Sequence, residues 1–253
     1  MILLLLLIPI LCFGENFSIS PEVSRQIGQK IWKNECGGTL EGLTHWNAGE
    51  NFPSLGIGHF IWYPAGKKER FEETFPALIV FLEKQGTDLP IWLKNSQGCP
   101  WTSREEFYQK IQTLEVKQLR EFLYNTKELQ AVFMAKRLEN TLPLLLEKLT
   151  LEKQKSVKAI FYRLAASPQG LYAMVDYLNF KGAGLSPTEQ YQGQAWGLLQ
   201  VLESIPESST NPLSAFVENA KKVLSQRVKN SPPERNEQRW LKGWMKRLES
   251  YEQ

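Results

Sequence analysis

Aspartate is almost missing from this chain: of 27 acidic residues only Asp88 and Asp176 are aspartates, and histidine is limited to His45 and His59. With three cysteines besides, there is no cluster of His and Cys at ligand spacing, so no metal site and no cofactor are expected. A Ser–His–Asp nucleophile around Ser54 also lacks its parts, because His59 stands five residues further along a run that reads as extended. No apolar stretch reaches the roughly 18 residues of a membrane span. A formal net charge of +3 is too small to argue for nucleic acid. No fixed-period repeat and no long linker divide the chain.

What is present is enough apolar material for a sizeable core, 42% of 253 residues. Residues 1–14, MILLLLLIPILCFG, carry a short apolar run that suits a secretory leader cleaved after Gly14, and the expectation is an exported, periplasmic or extracellular protein. Cys12 also admits a lipid-anchor reading, although Leu11 before it is bulky. With the leader removed, Cys36 and Cys99 remain, either as one bridge or as two buried thiols. Residues 221–247 hold nine basic side chains against Glu234 and Glu237, a solvated helix face or a contact for an anionic envelope surface.

Over 21–36 the apolar residues Val23, Ile27, Ile31 and Trp32 form a helical stripe. Ser20 caps it, Pro21 occupies the first helical position and Gly37-Gly38 stops it, so Glu35 falls in the last turn. Residues 43–47 and 52–59 read as two strands of a hairpin with its tip at 48–51. After Pro64 strand signals vanish, and helical periodicity covers about 66–85, 103–125, 127–149, 152–166, 168–180, 188–205, 211–229 and 234–251. The expected fold is α+β and mostly helical, with one small hairpin lobe (about 37–63) packed on a helical body (about 64–253).

In a strand, Ser54, Gly56 and Gly58 share one face, a hydroxyl beside two missing side chains that would clear the floor of a groove. Alternatively another element packs tightly there. A helix ending in Glu35, then a hairpin, then Ser54-Leu55-Gly56-Ile57-Gly58-His59 resembles the phage-type lysozymes of the lysozyme-like superfamily, over about residues 21–63. A later stretch, 241–247 (LKGWMKR), is similar to a Gly-plus-Arg run near the C-termini of those enzymes. The resemblance implies a lysozyme-like fold and cleavage of the glycan strands of peptidoglycan or a related aminosugar polymer. It gives Glu35 the role of general acid, puts Ser54 in place of a threonine and keeps His59.

The chain departs from that pattern at one point. Where the family has a second catalytic carboxylate, six residues before the hydroxyl, stands Ala48. Glu50 is the expected substitute, with Glu41 further off. Glycoside cleavage needs an acid for the leaving oxygen, and a second carboxylate either activates water or attacks carbon. The lytic transglycosylases of the same superfamily use the acid alone, so hydrolysis, ring closure and a silent glycan-binding or inhibitory module all stay open. Gly56, Gly58 and His59 are expected to touch substrate, and Trp46 and Trp62 to offer stacking faces. The 197–201 run GLLQV, similar to a transglycosylase sequence, reads as core packing because it lies far from Glu35.

Overall fold

The computed structural model describes residues 19–67 and 71–253, so the expected leader and Cys12 lie outside the described residues. Helix α1 (Pro21–Glu35) forms where the sequence puts it. Ser20 Oγ accepts the Val23 amide at 3.3 Å, Ile27, Gly28 and Ile31 face inward, and Gly37 and Gly38 take positive φ and end the helix. Glu35 is therefore its final residue.

A three-stranded antiparallel sheet comes next, β1 (Thr44–His45), β2 (Ser54–Leu55) and β3 (Phe60–Ile61), with His45 opposite Ser54 and Ser54 opposite Ile61. The single expected hairpin is thus two hairpins sharing β2. The strand expected to run through to His59 stops at Leu55, and 56–59 is the turn into β3. Gly56 has φ +68° and His59 has φ +50°, which an extended strand does not allow.

Beyond this sheet the longer regular elements are helices, with one further small hairpin. In order come α2 (Phe75–Lys84), α3 (Ile91–Lys94), α4 (Arg104–Gln109), α5 (Leu114–Asn125), α6 (Lys127–Leu146), α7 (Leu151–Ala165) and α8 (Pro168–Lys181). The hairpin β4 (Gln190–Tyr191) and β5 (Gln194–Ala195) precedes α9 (Leu198–Glu203), α10 (Pro212–Asn230) and α11 (Gln238–Glu249). The fold is α+β and mostly helical with a small antiparallel sheet. Several boundaries differ from the sequence reading: 66–74 is not helical where described, Ile91–Lys94 adds a short helix, 103–125 breaks into two helices, 188–205 contains the second hairpin, and the last helix begins at Gln238. That hairpin turns on Gln192 (φ +51°) and Gly193 (φ +75°), two positive φ angles in succession as a type I′ turn requires.

Helix α8 is the pillar of the body. Residues 170–177 are all buried, so its apolar surface runs round the whole helix rather than along one stripe. Helices α7 and α10 and the C-terminal turn pack around it, and α1 lies against both α6 and α8. A second apolar layer sits under the sheet, where Trp62 packs on Phe75 (4.8 Å between ring centroids) and meets Trp101 edge-on at 6.3 Å.

Cys36 and Cys99 are separate free thiols, not a bridge. Each is buried against a carbonyl, that of Gly56 for Cys36 (3.7 Å) and that of Trp101 for Cys99 (3.5 Å). Burial, reinforced at Cys36 by Glu35, pushes both thiols up to about 12. The thiolate is the reactive form, so native protein at pH 8 is expected to leave both thiols unmodified by a thiol-specific reagent, with both reacting at once in denaturant. Absorbance of the released chromophore measures the two rates.

Candidate active site

Glu35 ends α1 at the rim of a cleft of about 910 Å³. One wall comes from the sheet lobe, through Gly58, His59 and Ile61, and the other from the C-terminal end of α8, the β4–β5 hairpin and side chains of α10 and α11. The carboxyl is 13% exposed, and Arg247 Nη2 donates to its Oε1. Its other oxygen, Oε2, stands 3.8 Å from His59 Nδ1.

Arg247 is in turn held from behind by Asp176. Its Nε and Nη2 reach the two oxygens of Asp176 at 2.8 Å each, and Tyr251 Oη donates to Oδ2 at 2.5 Å. Asp176 is 1% exposed, in the middle of the apolar run of α8. Burial works against the guanidinium charge, but Asp176 and then Glu35 outweigh it and hold Arg247 protonated, above its ordinary range. Burial, then Asp176, also pushes the Tyr251 phenol well above 10. Lys30 of α1 donates to Ser250 O at 2.9 Å, and Asn34 to Tyr172 Oη at 2.8 Å, so α1 is tied to the same corner twice more.

The remaining expected residues separate into two groups. Gly58 and His59 line the cleft. Gly56, Ser54, Trp46 and Trp62 do not, and they are buried. The expected strand face of Ser54, Gly56 and Gly58 is overturned, because 56–59 is a turn; both glycines are tightly packed, and of the three only Gly58 lines the cleft. A Cβ on Gly56 would stand 2.4 Å from Gln130 Oε1, and one on Gly58 2.6 Å from the Phe60 ring. Gln130, fully buried on α6, accepts the Ile57 amide at 2.9 Å and donates to Leu123 O at 2.7 Å, clamping the turn.

Trp46 and Trp62 are 1% and 3% exposed, which leaves neither a ring face for a sugar. Trp46 Nε1 donates to Glu50 O at 2.7 Å. The Glu50 carboxylate accepts from Asn47 Nδ2 at 3.0 Å, within its own loop, and stands outside the cleft lining.

Sequence reasoning does not single out Arg247 as the partner of Glu35, nor Asp176 and Tyr251 as the groups behind it. One signal is there: Asp176 interrupts the run Ala173-Met174-Val175 and Tyr177, and an acid in an apolar helix demands a buried cation. Among the described residues no group of His, Cys, Asp or Glu is arranged to hold a metal ion. No family model, curated protein or solved structure matches the chain.

This geometry sets two expectations. Asp176→Asn leaves a buried guanidinium short of its charge partner and is expected to cost about 3–5 kcal/mol in urea unfolding. His59 has its pKa lowered from 6.5, chiefly by burial, against a smaller opposing pull from Glu35. The unfolded chain then takes up the proton first as pH falls, so stability declines from about pH 6.5 downward until the native imidazole itself titrates. His59→Gln should flatten that part of a stability-versus-pH curve.

Proposed function

We propose that the protein cleaves glycan strands of the peptidoglycan type on a lysozyme-like fold, with Glu35 as general acid. What carries the reading is the position of Glu35, closing α1 at the edge of a cleft that the Gly58-His59 turn also lines, with His59 Nδ1 3.8 Å from the carboxyl. At about 910 Å³ the cleft has the volume of a ligand site, and the acid is partly shielded from water.

In this mechanism Arg247 grips Oε1 and leaves Oε2 as the oxygen that meets substrate. Protonation of the glycosidic oxygen by Glu35 lets the C1–O bond break, and positive charge builds on the ring. The cation is then captured by water, or by the sugar's own C6 hydroxyl to give an anhydro ring, and either nucleophile returns its proton to Glu35. Glu50 lies outside the cleft lining, and this favours the route that needs Glu35 alone. Asp176 serves as a positioning residue through Arg247, and neither Ser54 nor the buried tryptophans touch the sugar.

The test is incubation of the purified protein with peptidoglycan and mass spectrometry of the soluble products. Anhydro-sugar ends are expected, with loss of at least about a hundredfold in rate for Glu35→Gln and no more than a small change for Glu50→Gln. Reducing ends together with a collapse of rate in Glu50→Gln would restore the two-carboxylate route. Binding without products from the unmutated protein would leave the silent module, and unchanged turnover in Glu35→Gln would remove the acid from its role.

A further inference from the structure

Beyond Glu35, the helical wall of the cleft alternates cations with aromatic rings. Arg247 lies 4.1 Å from the Phe180 ring centroid, and Lys181 Nζ lies 3.9 Å from that of Phe180 and 3.5 Å from that of Trp244. Arg227 continues the row, 4.0 Å from Trp196 and 5.1 Å from Trp244. The three cations are not equivalent. Arg247 is paired with Asp176 and Glu35, and Arg227 makes a two-pronged bond to Glu237 at 2.7 and 2.8 Å. Lys181 has no carboxylate within salt-bridge distance and no hydrogen-bond acceptor among the described residues, although it lines the cleft.

An ammonium donates three hydrogen bonds and accepts none, so a Lys held between two rings without an acceptor is a donor set awaiting an anion. It also sits in the last turn of α8, just before Gly182 (φ +75°), where the helix carbonyls favour positive charge. Of the two rings that flank it, Phe180 lines the cleft and suits the apolar face of a pyranose, while Trp244 backs the lysine from outside the cleft lining. We propose that Lys181, framed by Phe180 and Trp244, is the subsite for an acidic sugar, its ammonium receiving a free carboxylate on the glycan. This rests on the glycan reading above and names the residue that would select glycans bearing unblocked carboxylates.

Burial, then the charge of Arg227, lowers Lys181 to about 6, with Glu237 opposing and Arg247 adding to the lowering. The groups facing it are therefore Arg227 from α10, and Glu237 and Arg247 from the α11 segment. On the far side Glu189 Oε2 lies 3.6 Å from where a Gly182 Cβ would stand. Burial and the neighbouring guanidinium groups thus make the ammonium easier to deprotonate than an ordinary lysine, and an arriving carboxylate favours the protonated form. Binding takes up a proton from solvent and strengthens as pH falls toward 6.

The experiment is calorimetric titration of the full chain carrying Glu35→Gln, to prevent turnover, with three probes. They are an N-acetylglucosamine tetramer, a peptide-free oligomer of alternating N-acetylglucosamine and N-acetylmuramic acid with free lactyl carboxylates, and the same oligomer with those carboxylates converted to amides. The acidic oligomer is expected to bind about tenfold or more tighter than its amide at pH 6, a difference of about 1.4 kcal/mol or more. The advantage should shrink at pH 8. Adding Lys181→Met, which keeps an apolar-compatible chain in the same box, should erase it while the neutral tetramer binds as before. Equal affinity for acid and amide, or a preference that survives Lys181→Met, overturns the subsite and leaves the glycan reading standing. Binding of none of the three overturns both. The acid–amide comparison needs no substitution at Lys181, so it decides the matter even if that variant fails to fold.

Discussion

The buried pair of Asp176 and Arg247 organises this protein. A carboxylate in the middle of α8, with apolar residues on every side, tolerates its charge only because two guanidinium bonds and a phenol satisfy it. Those partners come from α11 and the turn after it, so the C-terminal helix must close over α8 for the charge to be compensated. The same guanidinium reaches forward to Glu35, which makes the position of the candidate acid a consequence of the packing of three helices. Continuum reasoning makes such a pair an uncertain source of net stability, and its worth lies in orientation: an apolar replacement of both groups would leave Glu35 without its clamp.

Glycine in the Gly56-Ile57-Gly58-His59 turn serves packing, and Gly58 lines the cleft as well. Gly56 supplies the positive φ that starts the turn and the space that lets Gln130 reach the Ile57 amide, and Gly58 leaves room for the Phe60 ring. Gln130 is saturated in exchange, bonded to Leu123, Thr126 and Ile57. The sheet lobe is thereby fastened to α6 by one fully buried amide. His59 emerges on the cleft side because its own positive φ directs the chain out of the turn and into β3.

Across the cleft a different balance holds. Arg227 and Arg247 are matched to carboxylates, whereas Lys181 lies between rings, and burial and then like charge lower its pKa. Guanidinium and ammonium behave differently here for a plain reason: the planar fork binds a carboxylate at two points and the point charge of lysine is easily neutralised by burial. The exposed basic side chains of α10 and α11 lie outside this wall, with Trp240 half-exposed among them.

Local chemistry in the sequence was enough for the first helix and for the placement of its last residue. Ser20, Pro21 and Gly37-Gly38 are short-range signals whose effect depends on neighbours a few residues away, and they put Glu35 at a helix terminus before a β lobe. The mostly helical body was legible for the same reason. The register beyond Leu55 was not, because Ser54, Gly56 and Gly58 suit an extended strand as well as a turn until Gln130, 73 residues later, claims the Ile57 amide. The burial of Trp46 and Trp62 was undecided too, since an aromatic side chain reads alike in a core and on a sugar platform. Above all, the partner of Glu35 lies 212 residues away in the chain. Only the tertiary structure could choose Arg247 among nine basic residues in its stretch, because the choice depends on which of them the packing of α11 on α8 turns toward Asp176.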